Sequence, residues 1–279
     1  MKILVTGGSG YLGTSLKQEL RNRGNKVFSL SRSSGPHTDD LACDLTDVSE
    51  VNGICKKLSG ENITVAVHLA SKLMNETLSQ SDIFDQNLEI TKGFITLAGL
   101  LKPSKIINAS STAVYPEITG AFDEESLIMP SVNSDALYGL SKFIAENFMD
   151  ASIHSPSTQC IHLRIGQIYG DQMPKNKIIP VLKKELNIDS RMTLFGSGDR
   201  IIPLVNISFL TDVIIKFIVN KTKSGVYNVV SENLSLIEIA NRIAYEEGVT
   251  EPDIVLVPEG RTSKFRVITE KLNQFLQSI

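Results

Sequence analysis

The sequence predicts an α/β fold in which a doubly wound parallel sheet carries a small, irregular C-terminal lobe. Short apolar segments alternate with helix-like segments through about the first 165 residues, which is the rhythm of a parallel sheet with crossover helices. The strand-like segments are almost wholly apolar, as expected where helices cover both faces of the sheet. Beyond residue 166 this rhythm loosens, and Gly and Pro become frequent.

The alternation assigns the elements of the first half in order. Residues 2–6 (KILVT) form a buried strand, and Leu12, Leu16 and Leu20 mark a helix over 11–23. Segments 33–40 and 116–133 are loops on composition. The other predicted strands are 26–31, 63–69, 104–110 and 159–165, and the other predicted helices are 48–58, 82–101 and 134–152.

The second half contains weaker signals, which we expect to form a lobe over the carboxyl edge of the sheet and interleaved with it. Ligands bind at that edge in open α/β sheets. The predicted helices lie near 208–219, 235–247 and 269–277, and the predicted short strands lie near 193–195, 226–230 and 254–257.

Composition excludes several classes of function. The 279 residues carry a net charge of −3 without a basic block, which does not favour binding to nucleic acid or to a membrane surface. Three irregularly spaced cysteines and four histidines without HxxxH or HExxH spacing predict neither disulfides nor a metal site. The apolar run MKILV is too short for a signal peptide, so a cytoplasmic protein is expected.

A Gly-rich turn, TGGSGYLG (6–13), links the first strand to the first helix. Glycines in this context allow a tight turn, close approach of a pyrophosphate and close packing of the helix on the strand, although a plain strand–helix turn also uses one or two glycines. The pattern predicts a Rossmann dinucleotide-binding domain over 1–166, with 167–279 mainly a substrate-binding lobe. The predicted phosphate contacts are Gly7, Gly10, Tyr11, Leu12 and Gly13.

The end of the second strand reads Ser31-Arg32, where an acidic residue would hold an adenosine ribose. An Arg can pair with a 2′-phosphate in a bidentate way, so NADP(H) is favoured and NAD(H) is possible. The alternative is a solvated surface Arg. Asp44 and Leu45 follow the next short segment and are candidates for the adenine.

Tyr138 and Lys142 are four residues apart in the helix at 134–152 and therefore share one face. A neighbouring ammonium lowers the pKa of a phenol, so Tyr138 is expected to become a usable acid or base. Ser111 follows a predicted strand and can hydrogen-bond a reacting oxygen. The alternative is a packed Tyr with a snorkelling Lys. The apolar stripe of Leu137, Leu140, Ile144 and Phe148 is predicted to face the core.

Together these segments resemble the extended short-chain dehydrogenase/reductases of the NAD(P)-dependent epimerase/dehydratase family, which act on nucleotide sugars. The resemblance covers residues 1–170 and continues weakly to about 272. The matching segments are TGGSGYLG (6–13), Asp44-Leu45, HLAS (68–71), Asn87, SSTAVY (110–115), YGLSK (138–142) and LRIGQIYG (163–170).

The resemblance implies a role for each matching residue. Tyr138 would be the acid–base and also contact the cofactor, Lys142 would hold the nicotinamide ribose, and Ser111 would orient the substrate. A homodimer through the helices at 82–101 and 134–152 is also implied. The remaining cofactor contacts would be Leu69, Ala70, Ser71 and Asn87, and the remaining substrate contacts would be Thr112, Gln167 and Arg261.

Three departures from the family pattern bear on the reaction. Thr112-Ala113 replaces the Asp-Glu pair of dehydratases, which disfavours dehydration, and Gln167 and Ile202-Pro203 replace usual substrate contacts. We therefore expect an NADPH-dependent reductase of a 4-keto nucleotide sugar. The alternatives are a nucleotide-sugar 4-epimerase, a reductase of a non-sugar ketone and a cofactor-binding regulatory subunit.

Overall fold

The computed structural model describes residues 1–73, 78–153 and 157–279. In chain order, its helices and strands are β1 (Lys2–Thr6), α1 (Tyr11–Asn22), β2 (Lys26–Ser31), β3 (Asp40–Ala42), α2 (Val48–Leu58), β4 (Val65–His68), α3 (Gln80–Leu101), β5 (Lys105–Ser111), β6 (Gly120–Phe122), α4 (Ala136–Ser152), β7 (Gln159–Ile165), β8 (Gln167–Tyr169), α5 (Ile178–Asp189), β9 (Arg191–Phe195), β10 (Ile201–Asn206), α6 (Ile207–Val219), β11 (Gly225–Val229), β12 (Glu232–Ser235), α7 (Leu236–Glu246), β13 (Asp253–Val257), β14 (Phe265–Val267) and α8 (Glu270–Gln277).

The central sheet is parallel throughout, with the strand order β3-β2-β1-β4-β5-β7-β11. Side chains alternate between its two faces. Ile3 and Val5 pack with α1, α6 and α8, whereas Leu4 packs with α2, α3 and the end of α4. The doubly wound Rossmann-type sheet predicted from the sequence is therefore confirmed. From β1 the strands are added towards one edge (β2, β3) and then, from β4 onward, towards the other edge. Such a switch point opens a cleft at the carboxyl ends of the strands.

Most of the predicted elements are present, with boundary shifts of a few residues. The predicted loop at 33–40 ends in β3, which completes one edge of the sheet. The predicted loop at 116–133 contains the short strand β6, and the strands β8, β12 and β14 were also not predicted. The elements α5 and β10 were missed because each contains a proline. Pro180 lies in the first turn of α5, where a backbone N–H has no helical partner. Pro203 lies in β10 one residue before the pairing with β8 begins at Leu204. Its missing N–H is therefore not needed for that pairing.

The second half of the chain contributes to both the sheet and the lobe. Strand β11 lies at the edge of the central sheet and α6 covers one of its faces, so the two halves of the chain interleave. The remaining strands form the small sheets β12-β10-β8, β13-β9 and β14-β6. Among the described helices, none is both long and apolar enough to cross a membrane.

The predicted core face of α4 is wrong. The stripe from Leu137 to Ile144 is only half-buried, and Phe148 is 38% exposed. The buried face instead carries small and polar residues, because it approaches neighbouring backbone closely and holds a buried ion pair. Its members are Gly139, Ser141, Lys142, Ala145, Glu146 and Met149.

Candidate active site

A cleft of about 600 Å³ opens at the carboxyl ends of β1, β2, β4, β5 and β7. Its walls contain nearly every residue that the sequence analysis assigned to the cofactor. Those that line it are Gly7, Gly10, Tyr11, Leu12, Gly13, Ser31, Arg32, Asp44, Leu45, Leu69, Ala70, Ser71, Tyr138 and Lys142. The sequence motifs, although scattered over 136 residues of chain, therefore converge on one cavity.

The turn between β1 and α1 has the shape of a phosphate cradle. Gly7 has φ +73°, and a Cβ there would lie 2.7 Å from the backbone nitrogen of Ala70. A Cβ at Gly13 would overlap the carbonyl oxygen of Gly7, so only glycine lets α1 start this close to the strand. No side chain caps α1, and its first turn contains no acidic residue. Its N-terminal N–H groups therefore suit a pyrophosphate.

At the other end of the cleft, the cations Arg32 and Lys72 lie near the carboxylate of Asp44. Arg32 is exposed at the end of β2, where no acidic residue is present. Asp44 accepts hydrogen bonds from the backbone N–H of Thr46 (2.9 Å) and from its hydroxyl (2.8 Å). These bonds, followed by the nearby charges of Arg32 and Lys72, lower the pKa of Asp44. The carboxylate is thus held as a fixed acceptor beside Arg32.

Asn87 lies behind the cleft and does not line it. Its side chain is buried on α3 and accepts hydrogen bonds from the backbone N–H of Lys72 (2.7 Å) and from the hydroxyl of Ser71 (3.0 Å). Its amide group donates to the hydroxyl of Ser141 on α4 (3.3 Å). Asn87 therefore holds the loop after β4 against α4 and positions Ser71, which does line the cleft.

Ser111, Tyr138 and Lys142 lie together in the middle of the cleft. The hydroxyl of Ser111 accepts a hydrogen bond from the N–H of Ala113 (3.1 Å), which leaves its own proton free to be donated. The neighbouring side chains of Ser111 and Ser71 both act to lower the pKa of the Tyr138 phenol. Nζ of Lys142 donates to the carbonyl of Ala109 (3.0 Å) and lies 5.6 Å from the centroid of the Tyr138 ring.

The electrostatics of this group differ from the expectation. Burial raises the pKa of Tyr138 to about 12, against the opposing hydrogen bonds from Ser71 and Ser111. Burial also lowers the pKa of Lys142 to about 8, against the opposing charge of Glu146. The predicted lowering of the phenol pKa by Lys142 is therefore wrong for the protein alone, because desolvation of the phenol dominates. Tyr138 is therefore protonated at neutral pH.

The lowered pKa of Lys142 predicts a pH dependence. Its ammonium form prevails below pH 8 and is lost as the pH rises through that value. We expect kcat/KM for the catalysed reaction to be level near neutrality and to fall above about pH 8. Circular dichroism at each pH controls for unfolding. A level profile up to pH 9.5 in a folded protein would contradict the assignment of Lys142.

Gly139 provides a test of how α4 positions Tyr138. A Cβ at this residue would overlap the carbonyl oxygen of Ala113, in the 3₁₀ turn that follows Ser111. Gly139→Ala should push α4 away from that turn and separate Tyr138 from Ser111, which should lower kcat by about tenfold to a hundredfold. The control is Gly99→Ala in α3, where a Cβ has open space, and unchanged kcat is expected. Equal kcat values for both variants would contradict this role.

The three predicted substrate residues have different positions. Gln167 lines the cleft, whereas Thr112 is buried and does not line it. Arg261 also lies outside the lining, because it pairs with Glu117 (2.7 Å), which also binds Arg200 (2.9 Å). Lining residues that were not predicted from the sequence include Ser9, Lys72, Gln86, Pro174 and Lys177. The last two precede α5, the helix that its proline concealed.

A buried ion pair supports the helix that carries Tyr138 and Lys142. Arg164 on β7 donates to Glu146 on α4 through Nε (3.1 Å) and through a terminal nitrogen (2.8 Å). The same guanidinium donates to the hydroxyl of Tyr115 (2.9 Å), and Ser110 donates to Glu146. Both charged side chains are only 4% exposed. This network ties α4 to the two strands beneath the cleft.

Comparison with known proteins identifies the family of the chain. The model of the NAD dependent epimerase/dehydratase family matches residues 3–230. A UDP-glucose 4-epimerase of Mycoplasma genitalium is 25% identical over 219 residues, which cover 70% of this chain but only 63% of that protein. A dTDP-4-dehydro-6-deoxyglucose reductase of Escherichia coli is 23% identical over 261 residues, covering 88% of this chain and 81% of that protein.

A solved structure confirms the fold. The dTDP-glucose 4,6-dehydratase of Bacillus anthracis in complex with NAD has a TM-score of 0.82 at 20% sequence identity, covering 99% of this chain and 90% of that one. With the family match over most of the chain and the converged motifs, this establishes the class of protein. The chain belongs to the NAD-dependent epimerase/dehydratase family and is an enzyme of the extended short-chain dehydrogenase/reductase type.

Proposed function

We propose that the protein is an NADPH-dependent reductase of a 4-keto sugar linked to a nucleotide. The observation that carries this proposal is the adenosine end of the cleft. Arg32 stands there with Ser31, and the acidic residue that would hold a ribose is missing from the end of β2. An Arg at this place supports a cofactor with a 2′-phosphate, and NADPH serves reductions.

The residues of the cleft suit this reaction. NADPH, when bound, supplies the hydride to the carbonyl carbon. Tyr138 donates its proton to the carbonyl oxygen. The hydroxyl of Ser111 donates a hydrogen bond to the same oxygen while negative charge develops on that oxygen. The phenolate then regains its proton from solvent. Lys142, charged at neutral pH and buried beneath the ring of Tyr138, favours that phenolate while it exists.

Arg32→Ala tests the cofactor preference. The variant should weaken NADPH binding by about 10- to 100-fold, the loss of a charge-assisted pair, and should leave the affinity for NADH nearly unchanged. Isothermal titration with each cofactor measures both affinities. Arg23→Ala serves as the control, because Arg23 pairs with Glu19 on the surface of α1 and should affect neither cofactor. Equal losses of NADPH and NADH affinity would remove the NADP assignment.

A nucleotide-sugar 4-epimerase is the second candidate. The similarity to the UDP-glucose 4-epimerase of Mycoplasma genitalium favours it, and Tyr138 can serve both reactions by giving up and regaining one proton. An epimerase must retain the reduced cofactor while the sugar turns. Stoichiometric cofactor in the purified protein, with turnover that needs no added NADPH, would select epimerisation over net reduction.

A substrate screen separates the remaining candidates. Nucleotide-linked sugars and their 4-keto derivatives are incubated with NADPH, and both cofactor absorbance and product stereochemistry are followed. Oxidation of NADPH with a 4-keto substrate supports the proposal. If no nucleotide sugar reacts while NADPH binds, a non-sugar ketone or a regulatory subunit becomes the better assignment. Arg261 pairs with Glu117 and is therefore not free to bind the diphosphate of a nucleotide sugar. This pairing would agree with a screen in which no nucleotide sugar reacts.

We also propose a cytoplasmic homodimer. The half-exposed stripe on α4, which includes Leu140, Ile144 and Phe148, offers an apolar face to a second copy. Three buried, free cysteines fit a reducing compartment. Sedimentation of Phe148→Glu and of the unmodified chain, measured side by side, tests the dimer. If the variant is still a dimer, the interface does not use this stripe of α4.

A further inference from the structure

A second group of reactive side chains lies outside the cleft, between β7 and the C-terminal end of α4. Cys160 and His162 are two residues apart on β7 and so point to the same face of the strand. Asp150 reaches them from α4. The thiol and the imidazole are buried, whereas the side chain of Asp150 is 58% exposed. The cluster therefore has a closed inner side and an open outer side.

The three polar atoms converge on one another. Nε2 of His162 lies 3.0 Å from Oδ1 of Asp150 and 3.6 Å from Sγ of Cys160, and all the candidate ligand atoms lie within 4.8 Å. A tetrahedral zinc ion needs donor separations of roughly 3.3–3.6 Å, given bonds of about 2.0 Å to nitrogen or oxygen and 2.3 Å to sulfur. Small adjustments would bring these atoms to that spacing.

The arrangement does not match that of a nucleophilic triad. A triad histidine faces the nucleophile with one ring nitrogen and the carboxylate with the other. Here a single nitrogen of His162 faces both Cys160 and Asp150, while Nδ1 lies 3.1 Å from the side-chain amide of Asn108. Convergence of three donors around one point is the geometry of metal ligation.

Asn108 supplies the orientation that a ligating histidine needs. Its Oδ1 is buried and has no hydrogen-bond partner among the described residues. Oxygen and nitrogen of an amide side chain are assigned from their surroundings, and turning this amide lets Oδ1 accept from Nδ1–H of His162. Nε2 then presents its lone pair towards Cys160 and Asp150. Metal-bound histidines are commonly held by such a second hydrogen bond.

We propose that Cys160, His162 and Asp150 form a zinc site, with water as the fourth ligand at the exposed side of Asp150. A mixed set of thiolate, imidazole and carboxylate donors suits Zn²⁺. The ion would join the end of α4, the helix of Tyr138 and Lys142, to β7. Sequence spacing predicted no metal site, because one ligand comes from a separate helix and the other two are too close together for a known motif.

Calorimetric titration with Zn²⁺ tests the site. The full-length protein, freed of metal with a chelator, should bind one Zn²⁺ per chain. Asp150→Asn keeps the size of an exposed side chain and should weaken binding by at least about tenfold. Asp253→Asn is the matched control, because that carboxylate is equally exposed and pairs only with Arg191 among the described residues. Its affinity for Zn²⁺ should be unchanged.

The absorption spectrum with bound Co²⁺ distinguishes a metal site from a cluster of side chains that only hydrogen-bond to one another. Binding through Cys160 should give a thiolate-to-cobalt charge-transfer absorption that is lost in Cys160→Ser and kept in Cys55→Ser. Cys55 is a buried thiol of α2 outside the cluster. The proposal is overturned if Zn²⁺ does not bind stoichiometrically, or if binding survives unchanged in both Asp150→Asn and Cys160→Ser.

Discussion

Tyr138→Phe is expected to lower kcat by about 10²- to 10⁴-fold, the usual contribution of a positioned proton donor. The phenyl ring keeps the packing contacts of the tyrosine ring, so the loss is confined to the hydroxyl group, its proton and its interactions with Ser71 and Ser111. Because the glycine turn between β1 and α1 is unchanged, the affinity for the nicotinamide cofactor should change little. Single-turnover measurements at saturating cofactor separate the chemical step from binding.

The matched control for this variant is Tyr169→Phe. Its hydroxyl donates to Glu232 in the lobe (2.6 Å) and does not line the cleft. The control should retain most of the activity, which shows that loss of a phenol hydroxyl is not harmful in itself. Normal turnover by Tyr138→Phe would instead require a different proton donor and would end the assignment of this site.

Arg164→Met is expected to lower the free energy of unfolding by about 3–5 kcal/mol. The substitution leaves the buried carboxylate of Glu146 without its cation, and the cost of an uncompensated buried charge far exceeds that of losing the contact itself. Tyr115 also loses the guanidinium that donates to its hydroxyl. Urea denaturation followed by circular dichroism measures the change, provided that the slope with denaturant stays constant.

Two further variants identify the cause of that loss. Arg191→Met breaks an exposed pair with Asp253, and such pairs contribute at most about 1 kcal/mol. Arg164→Met combined with Glu146→Gln removes the orphaned charge and should recover part of the stability. If the double variant is no more stable than Arg164→Met, packing around Arg164 and not charge burial accounts for the loss.

Much of the fold could be predicted because its signals are local. The turn from β1 into α1 is encoded in eight consecutive residues, and its glycines are required by contacts within the turn and with Ala70. The strands of the central sheet stand out since both of their faces are buried, which demands continuous apolar sequence. The elements α5 and β10 were not predicted because each contains a proline. In the structure, Pro180 and Pro203 lie at positions where a helix or a strand tolerates proline.

The site was predicted less completely, because several of its properties depend on residues that are far apart in sequence. Asn87 was expected to line the cleft and instead fixes Ser71 from behind. Arg261 was expected to bind substrate, but its partner Glu117 lies 144 residues earlier. The apolar stripe of α4 suggested the wrong buried face, because hydrophobic periodicity carries no information about a buried ion pair such as Glu146 with Arg164.

The sequence by itself determined the doubly wound fold and the glycine turn after β1, and it indicated Ser111, Tyr138 and Lys142 as candidate site residues, since each follows from residue type and short-range spacing. Only the tertiary structure decided their electrostatics and the convergence of Asp150, Cys160 and His162. A pKa depends on desolvation and on charges brought close by folding, and a ligand cluster depends on which helix crosses which strand. Neither the pKa values nor the ligand cluster can be predicted from one segment of the sequence alone.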